Sequence, residues 1–164
     1  MTEANTIEND PMGQSCDDID ISYPLLPASN YPMVIKEAKR GPNKAGDGEN
    51  IELKWANVNA GTSTKGEPVS AGQIVLTSYI GLTPKPERKD ESTGRTIRAR
   101  TNIDIAKDIT KVVKAVKMTK TTPGAIAADC FILIGKEAIV KIGIRNETAN
   151  FPESNEIKSF VIGE

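Results

Sequence analysis

Residues 135–162 read Gly135-Lys136-Glu137-Ala138-Ile139-Val140-Lys141-Ile142-Gly143-Ile144-Arg145, then Asn146-Glu147-Thr148-Ala149-Asn150-Phe151-Pro152-Glu153-Ser154, then Asn155-Glu156-Ile157-Lys158-Ser159-Phe160-Val161-Ile162. From Ala138 the first piece alternates: Ala138, Val140, Ile142 and Ile144 point one way, Lys141, Gly143 and Arg145 the other. Period-two alternation rich in β-branched residues marks a half-buried strand. The middle piece is polar and carries Pro152 and two Asn, a loop composition. The last piece predicts a second strand, with Lys158 and Phe160 on one face and Ile157 and Val161 on the other. The result is a hairpin. Two strands alone are marginal in water, so the residues upstream must supply more.

Three upstream runs do so. Tyr23-Pro24-Leu25-Leu26-Pro27 is an extended lead-in held open by its prolines. Tyr31 to Ala38 reads as a strand with Met33 and Ile35 on one face and Val34 and Lys36 on the other. Residues 39–48 form a basic, Gly-rich turn, and Ile51 to Val58 a second strand in which Ile51, Leu53 and Trp55 share a face. Asn59 to Ala71 is a Gly/Ser/Thr loop. Gln73 to Ile80 is a third strand, with Ile74, Leu76 and Ile80 on one face and Gln73, Thr77 and Tyr79 on the other.

Thr83 to Arg100 is a long loop punctuated by Pro84 and Pro86. Thr101 then caps a helix, with Asp104 placed to favour its dipole. Ile105, Ile109, Val112, Val113 and Val116 form the helix's apolar face, and Lys107, Lys111, Lys114 and Lys117 a basic stripe opposite. Ala125 to Ile134 predicts a second short helix ending at Gly135. Three strands, a helix and two strands is the order of the five-stranded Greek-key barrel called the OB-fold, whose helix bridges strands three and four. The fold expected is therefore mainly β and OB-fold-like over residues 23–164, with a small α+β sandwich as the competitor.

Charge divides the chain unevenly. Its 164 residues carry a formal −1, but residues 1–22 hold −6 with no Lys or Arg, leaving +5 on residues 23–164. Residues 1–22 are expected to be a disordered acidic tail. A mildly basic body suits a polyanion such as nucleic acid, although +5 is also ordinary for a soluble domain. The tail would compete with such a polyanion or recruit partner proteins.

Catalytic chemistry is poorly supplied. There is no His, which removes the commonest general base and zinc ligand. Cys16 and Cys130 suggest neither a disulfide framework nor a metal cluster. Gly41 and Gly46 have phosphate-loop spacing, but Asp47-Gly48 stands where Lys and Ser or Thr are required. No enzyme, cofactor or metal is expected. No apolar run approaches a membrane span and no signal pattern opens the chain, so a cytoplasmic protein is expected.

Leu26-Pro27, Tyr31-Pro32, Leu133-Ile134-Gly135-Lys136, Val140-Lys141-Ile142-Gly143-Ile144-Arg145 and Ser154-Asn155-Glu156-Ile157-Lys158 are short stretches that stand out in this order. Together they resemble a family of small bacteriophage proteins long catalogued as a domain of unknown function, which implies the host cell cytoplasm as the location if the protein is phage-encoded. The resemblance covers residues 24–162 in order and is densest in the closing hairpin; residues 60–100 add nothing to it. Members lie among phage replication and recombination genes and are regarded as single-stranded DNA-binding proteins. The resemblance implies that function through fold and gene neighbourhood, with no catalytic motif.

Single strands are held by a positive groove and by aromatics that stack on bases. The candidates for the groove are Lys39, Arg40 and Lys44 in the first turn, Lys54 on the second strand, and Lys85, Arg88, Lys89, Arg95, Arg98 and Arg100 in the long loop. Tyr79, at the polar end of strand three, is the first stacking candidate. Trp55 is the next, although its position beside Ile51 and Leu53 also suits core packing. The expected partners are single-stranded DNA, replication or recombination proteins met by the acidic tail, and a second copy of the chain. A non-catalytic interaction or structural module of a phage assembly is the alternative, favoured by the scarcity of aromatics.

Overall fold

The computed structural model describes residues 11–13, 15–16, 23–146 and 153–162. Most of the acidic tail and the middle of the 146–154 loop therefore lie outside the described residues. Pro11–Gly13 form one turn of 3-10 helix. The elements that follow are β1 (Ser29–Pro42), β2 (Glu49–Asn57), β3 (Gly61–Thr62), β4 (Pro68–Val69), β5 (Ile74–Gly81), β6 (Arg88–Lys89), β7 (Thr96–Ile97), α1 (Asn102–Ala115), α2 (Pro123–Ala128), a 3-10 turn (Cys130–Leu133), β8 (Glu137–Arg145) and β9 (Ser154–Val161).

The five long strands form one antiparallel sheet in the order β5-β2-β1-β8-β9. β1 lies at its centre because both of its edges are paired, over stretches that overlap only at Met33 and Val34. Met33 to Pro42 pairs with β2, and Ser29 to Val34 with β8. Met33, Ile35, Ile51, Leu53, Trp55, Val140 and Ile142 are buried on the inner face. α1 covers them with Ile105, Ile109, Val112 and Ala115.

Three bulges correct the simple alternation. Lys36 is the extra residue between Ile35 and Glu37, so Ala38 rejoins Met33 and Ile35 on the inner face. Val75 is extra opposite the Trp55 to Ala56 step, so Val75 and Leu76 are both buried while Ile74 is only half-buried. Lys158 is extra opposite the Lys141 to Ile142 step. Each bulge resets which way the following side chains point. That at Lys158 turns Phe160 inward, against the expectation that it shares a solvent face with Lys158: its ring lies 5.7 Å from that of Trp55.

β2 and β9 are three places apart in the sheet, and neighbouring strands stand about 4.8 Å from one another. A ring contact between them requires strong curling. The sheet nevertheless does not close into the barrel the sequence suggested, because β5 and β9 share no ladder. The lead-in segment lies along this seam. The Tyr23 hydroxyl is 3.2 Å from Thr77 Oγ1 on β5. Leu26, fully buried, donates its N–H to Asn155 Oδ1 on β9 at 2.7 Å.

The loops carry more structure than their composition suggested. β1 runs through residues 39–42, and the turn proper is Asn43 to Gly48. Residues 59–71 contain the β3–β4 hairpin, and residues 83–100 contain β6–β7. The apolar stretch 125–134 is a short helix, started by Thr122 and Pro123 and stopped at Asp129, followed by the 3-10 turn.

Candidate nucleic-acid interface

The outer face of β1, β2 and β5 is laid out in rows. Tyr79 pairs with Glu52, and Glu52 with Lys39. One step along, Thr77 pairs with Lys54, and Lys54 with Glu37. One step the other way, Gly81 pairs with Asn50, and Asn50 with Gly41. This last row has little side-chain bulk and forms a low floor beneath the β6–β7 hairpin.

Above the floor is a cleft of about 450 Å³ lined by Tyr79, Lys85, Arg88, Arg98, Arg100 and Asn43, among others. The long loop is folded over it by backbone bonds between Lys85 and Arg100 in both directions, 3.0 and 2.8 Å. The hairpin turn closes with Asp90 N–H to Arg95 O at 2.8 Å and with Gly94 at φ 72°, a left-handed conformation that glycine adopts without strain.

The loop cations divide into two groups. Lys85, Arg98 and Arg100 are engaged. Lys85 Nζ is 2.9 Å from Asp47, Arg98 Nη2 is 2.7 Å from Asp104, and Arg100 Nη2 is 2.9 Å from Asp108. Arg100 also donates to the Gly81 carbonyl at 2.8 Å, fastening the loop to β5 and to α1 together. The Lys85 hydrogen bond, aided by Asn43, holds the Asp47 carboxyl below the usual carboxylate range. Arg88, Lys89 and Arg95 are exposed, and none forms an ion pair among the described residues. These three are available to a polyanion.

Tyr79 is 60% exposed at the edge of the cleft. Partial burial, with a smaller contribution from the Glu52 carboxylate, raises its phenol above the usual value, so the ring stays neutral at ordinary pH. A neutral exposed ring beside cations is a usable stacking surface.

Other candidates fall away from the cleft. Trp55 is fully buried, and its Nε1 donates to Ser78 Oγ at 2.9 Å; it is a core residue because Ile51, Leu53 and Trp55 share the inner face. Arg40 is bound to Glu49 and to the Ala127 carbonyl, joining β1 to α2. Lys39 and Lys54 stand on the outer face and pair with Glu52 and Glu37. Lys44 is exposed on the Asn43 to Gly48 turn. On the far side of the loop, Lys107 and Lys111 share a second cleft, about 430 Å³, with Arg98, Arg100 and two aspartates.

The sequence reading missed Phe131 and Ile134, which are 63% and 44% exposed. Asp129 before them and Gly135 after them bracket too few residues to bury a helical face on every side, which is the signal that could have exposed them. Among the described residues no group of His, Cys, Asp or Glu is arranged to hold a metal ion, and no helix is long and apolar enough to cross a membrane. The chain matches no family model and no curated protein sequence.

Proposed function

We propose that this protein binds single-stranded DNA without regard to sequence and serves phage DNA replication or recombination. The observation that carries the reading is the meeting of Tyr79 with the β6–β7 loop, where Arg88, Lys89 and Arg95 stand free of carboxylates. Binding then combines phosphate neutralisation with base stacking and uses no cofactor.

The strand order supports the OB-like part of the reading. β8-β1-β2-β5 has the 4-1-2-3 order of a Greek key, with the fifth strand beside the fourth. A five-stranded barrel closes when strands three and five meet, and here the lead-in segment stands in that seam. The ligand surface of such barrels is the face of strands two and three with its adjoining loops. Tyr79 and the β1–β2 turn occupy those places.

The acidic tail, −6 over residues 1–22, is the segment suited to basic partner proteins of replication or recombination. An interaction module remains the second reading, favoured by an apolar groove of about 560 Å³ lined by Pro32, Ala138, Ile139 and Val161.

Anisotropy titration with labelled oligo-dT across salt concentrations separates the two readings. Steep salt dependence and preference for single strand over duplex support DNA binding. Absence of binding at low salt rejects it.

A further inference from the structure

Among the described residues no aromatic side chain is more exposed than Phe131. Its exposure does not come from a loose backbone. Its neighbours Cys130 and Leu133 are buried at 3% and 0%, and the Gly135 N–H bonds to the Ile35 carbonyl at 2.8 Å. The Ile35 N–H returns a bond to the Lys136 carbonyl at 2.9 Å. The 3-10 turn is thus fixed at both ends and holds the ring out from the surface.

The ring opens onto the outer sheet face. Phe131 and Ile134 share a small cleft of about 280 Å³ with Lys39, Glu52 and Lys54. Lys39 and Glu52 belong to the same cross-strand row as Tyr79. Directly paired residues point to the same side of a sheet. Phe131 and Tyr79 therefore stand at opposite ends of one face. Two strand spacings put Tyr79 about 10 Å from Lys39, with Phe131 beyond it. The strip between is charge-neutral: Lys39 is 3.8 Å from Glu52, and Lys54 is 3.4 Å from Glu37 and 4.0 Å from Glu52. Lys39 is itself exposed and its contact with the half-buried Glu52 is long, so it can exchange that carboxylate for a phosphate while Glu52 keeps Lys54.

We infer that Phe131 is a second base-stacking platform, and that a bound single strand runs from the β6–β7 cleft past Tyr79, across β2 and β1, to Phe131. The inference rests on the DNA-binding reading and deepens it by giving the strand a path. A nucleic acid fits this face better than a protein partner does. The two rings are separated by a polar strip rather than joined in one apolar patch, and the face runs through Tyr79 into the free cations.

The test compares wild type, Phe131→Ala and Phe131→Trp by anisotropy with oligo-dT of graded length, with circular dichroism to confirm folding. Phe131→Ala is expected to weaken binding of the longer oligomers about 5- to 150-fold, the range of one lost base stack. Oligomers short enough to occupy only the cleft are expected to bind both proteins equally. Phe131→Trp restores affinity, and its new indole is quenched on binding. Wild-type affinity of Phe131→Ala for long oligo-dT overturns the path, as does an indole at 131 that saturating oligo-dT leaves unquenched. If neutralising Arg88, Lys89 and Arg95 still weakens binding in that case, the DNA-binding reading survives alone. Failure of wild type to bind oligo-dT at low salt removes both. Loss of self-association in Phe131→Ala without DNA assigns the ring to a protein contact and also overturns the path.

Discussion

The side-chain amide of Asn155 on β9 holds the backbone of Leu26 from both sides: Oδ1 accepts the Leu26 N–H at 2.7 Å and Nδ2 donates to the Leu26 carbonyl at 2.8 Å. An amide is well suited to this, since it offers a donor and an acceptor side by side, as another strand would. Asn155→Ala leaves both backbone groups without protein partners and is expected to cost about 1–3 kcal/mol. Asn155→Asp keeps the acceptor but sets a carboxylate oxygen against the Leu26 carbonyl, so its urea midpoint should fall at least as far. Equal midpoints for wild type and Asn155→Ala would show that the seam is held by Leu26 packing alone.

Trp55 is the only tryptophan and is fully buried. Its emission is expected to be blue-shifted in the folded protein, to move red on unfolding, and to stay unchanged when oligo-dT saturates the protein. Trp55→Ala should destabilise by about 3–5 kcal/mol, read from denaturant unfolding. Quenching of wild-type emission by DNA would place the ring in the binding surface instead.

The two groups of loop cations should behave differently. Each phosphate contact contributes about 0.7 to the slope of log affinity against log salt for a single strand. Replacing Arg88, Lys89 and Arg95 by Ala is therefore expected to flatten the slope by up to about 2 while leaving thermal stability unchanged. Arg100→Ala removes the tie to Gly81 and Asp108. It should lower the melting temperature and loosen the loop, with a smaller effect on the slope.

The start of α1 carries a pH dependence of definite sign. The Thr101 N–H bonds to the Asp104 carboxylate at 2.9 Å, and this is the chief reason its pKa lies below the usual value, with Arg98 adding to it. A depressed folded pKa gives stability that is present above the unfolded value, about 3.9, and lost as pH falls through the folded one. The denaturant midpoint should accordingly drop on the acid side, and Asp104→Asn should make that drop shallower. Thr101→Ala removes the reciprocal cap and is expected to cost about 1 kcal/mol at neutral pH.

Where local chemistry determined structure, the sequence was readable. Ile51, Leu53 and Trp55 alternate without interruption and all face inward. Thr101 caps α1 as expected, and Asp104, expected only to favour the helix dipole, also bonds back to the Thr101 N–H. One misreading lies where an inserted residue changes the count. Phe160 follows the bulge at Lys158, and a period-two rule carried through it assigns the wrong face. Phe131 sits in an apolar run, and hydrophobicity alone cannot show that a 3-10 turn presents one of its members to water. Of the interface, Tyr79 and the loop were legible as neighbours in sequence. Which of its cations would be neutralised was not, because Asp47 reaches the loop from the β1–β2 turn and Asp104 and Asp108 reach it from α1.

β1 also sets an order of events during synthesis. Its partner β2 follows it closely, and that hairpin can form while translation continues. Its other partner, β8, and the Asn155 that secures Leu26 are made only after α1 and α2. Until residues 137–145 leave the ribosome, one side of β1 has unpaired backbone, and until residues 154–161 follow, the edge of β8 is bare and the seam behind Leu26 stands open. A nascent chain stalled in that interval presents an unprotected sheet edge, and it is there that a chaperone or an aggregating neighbour would find it.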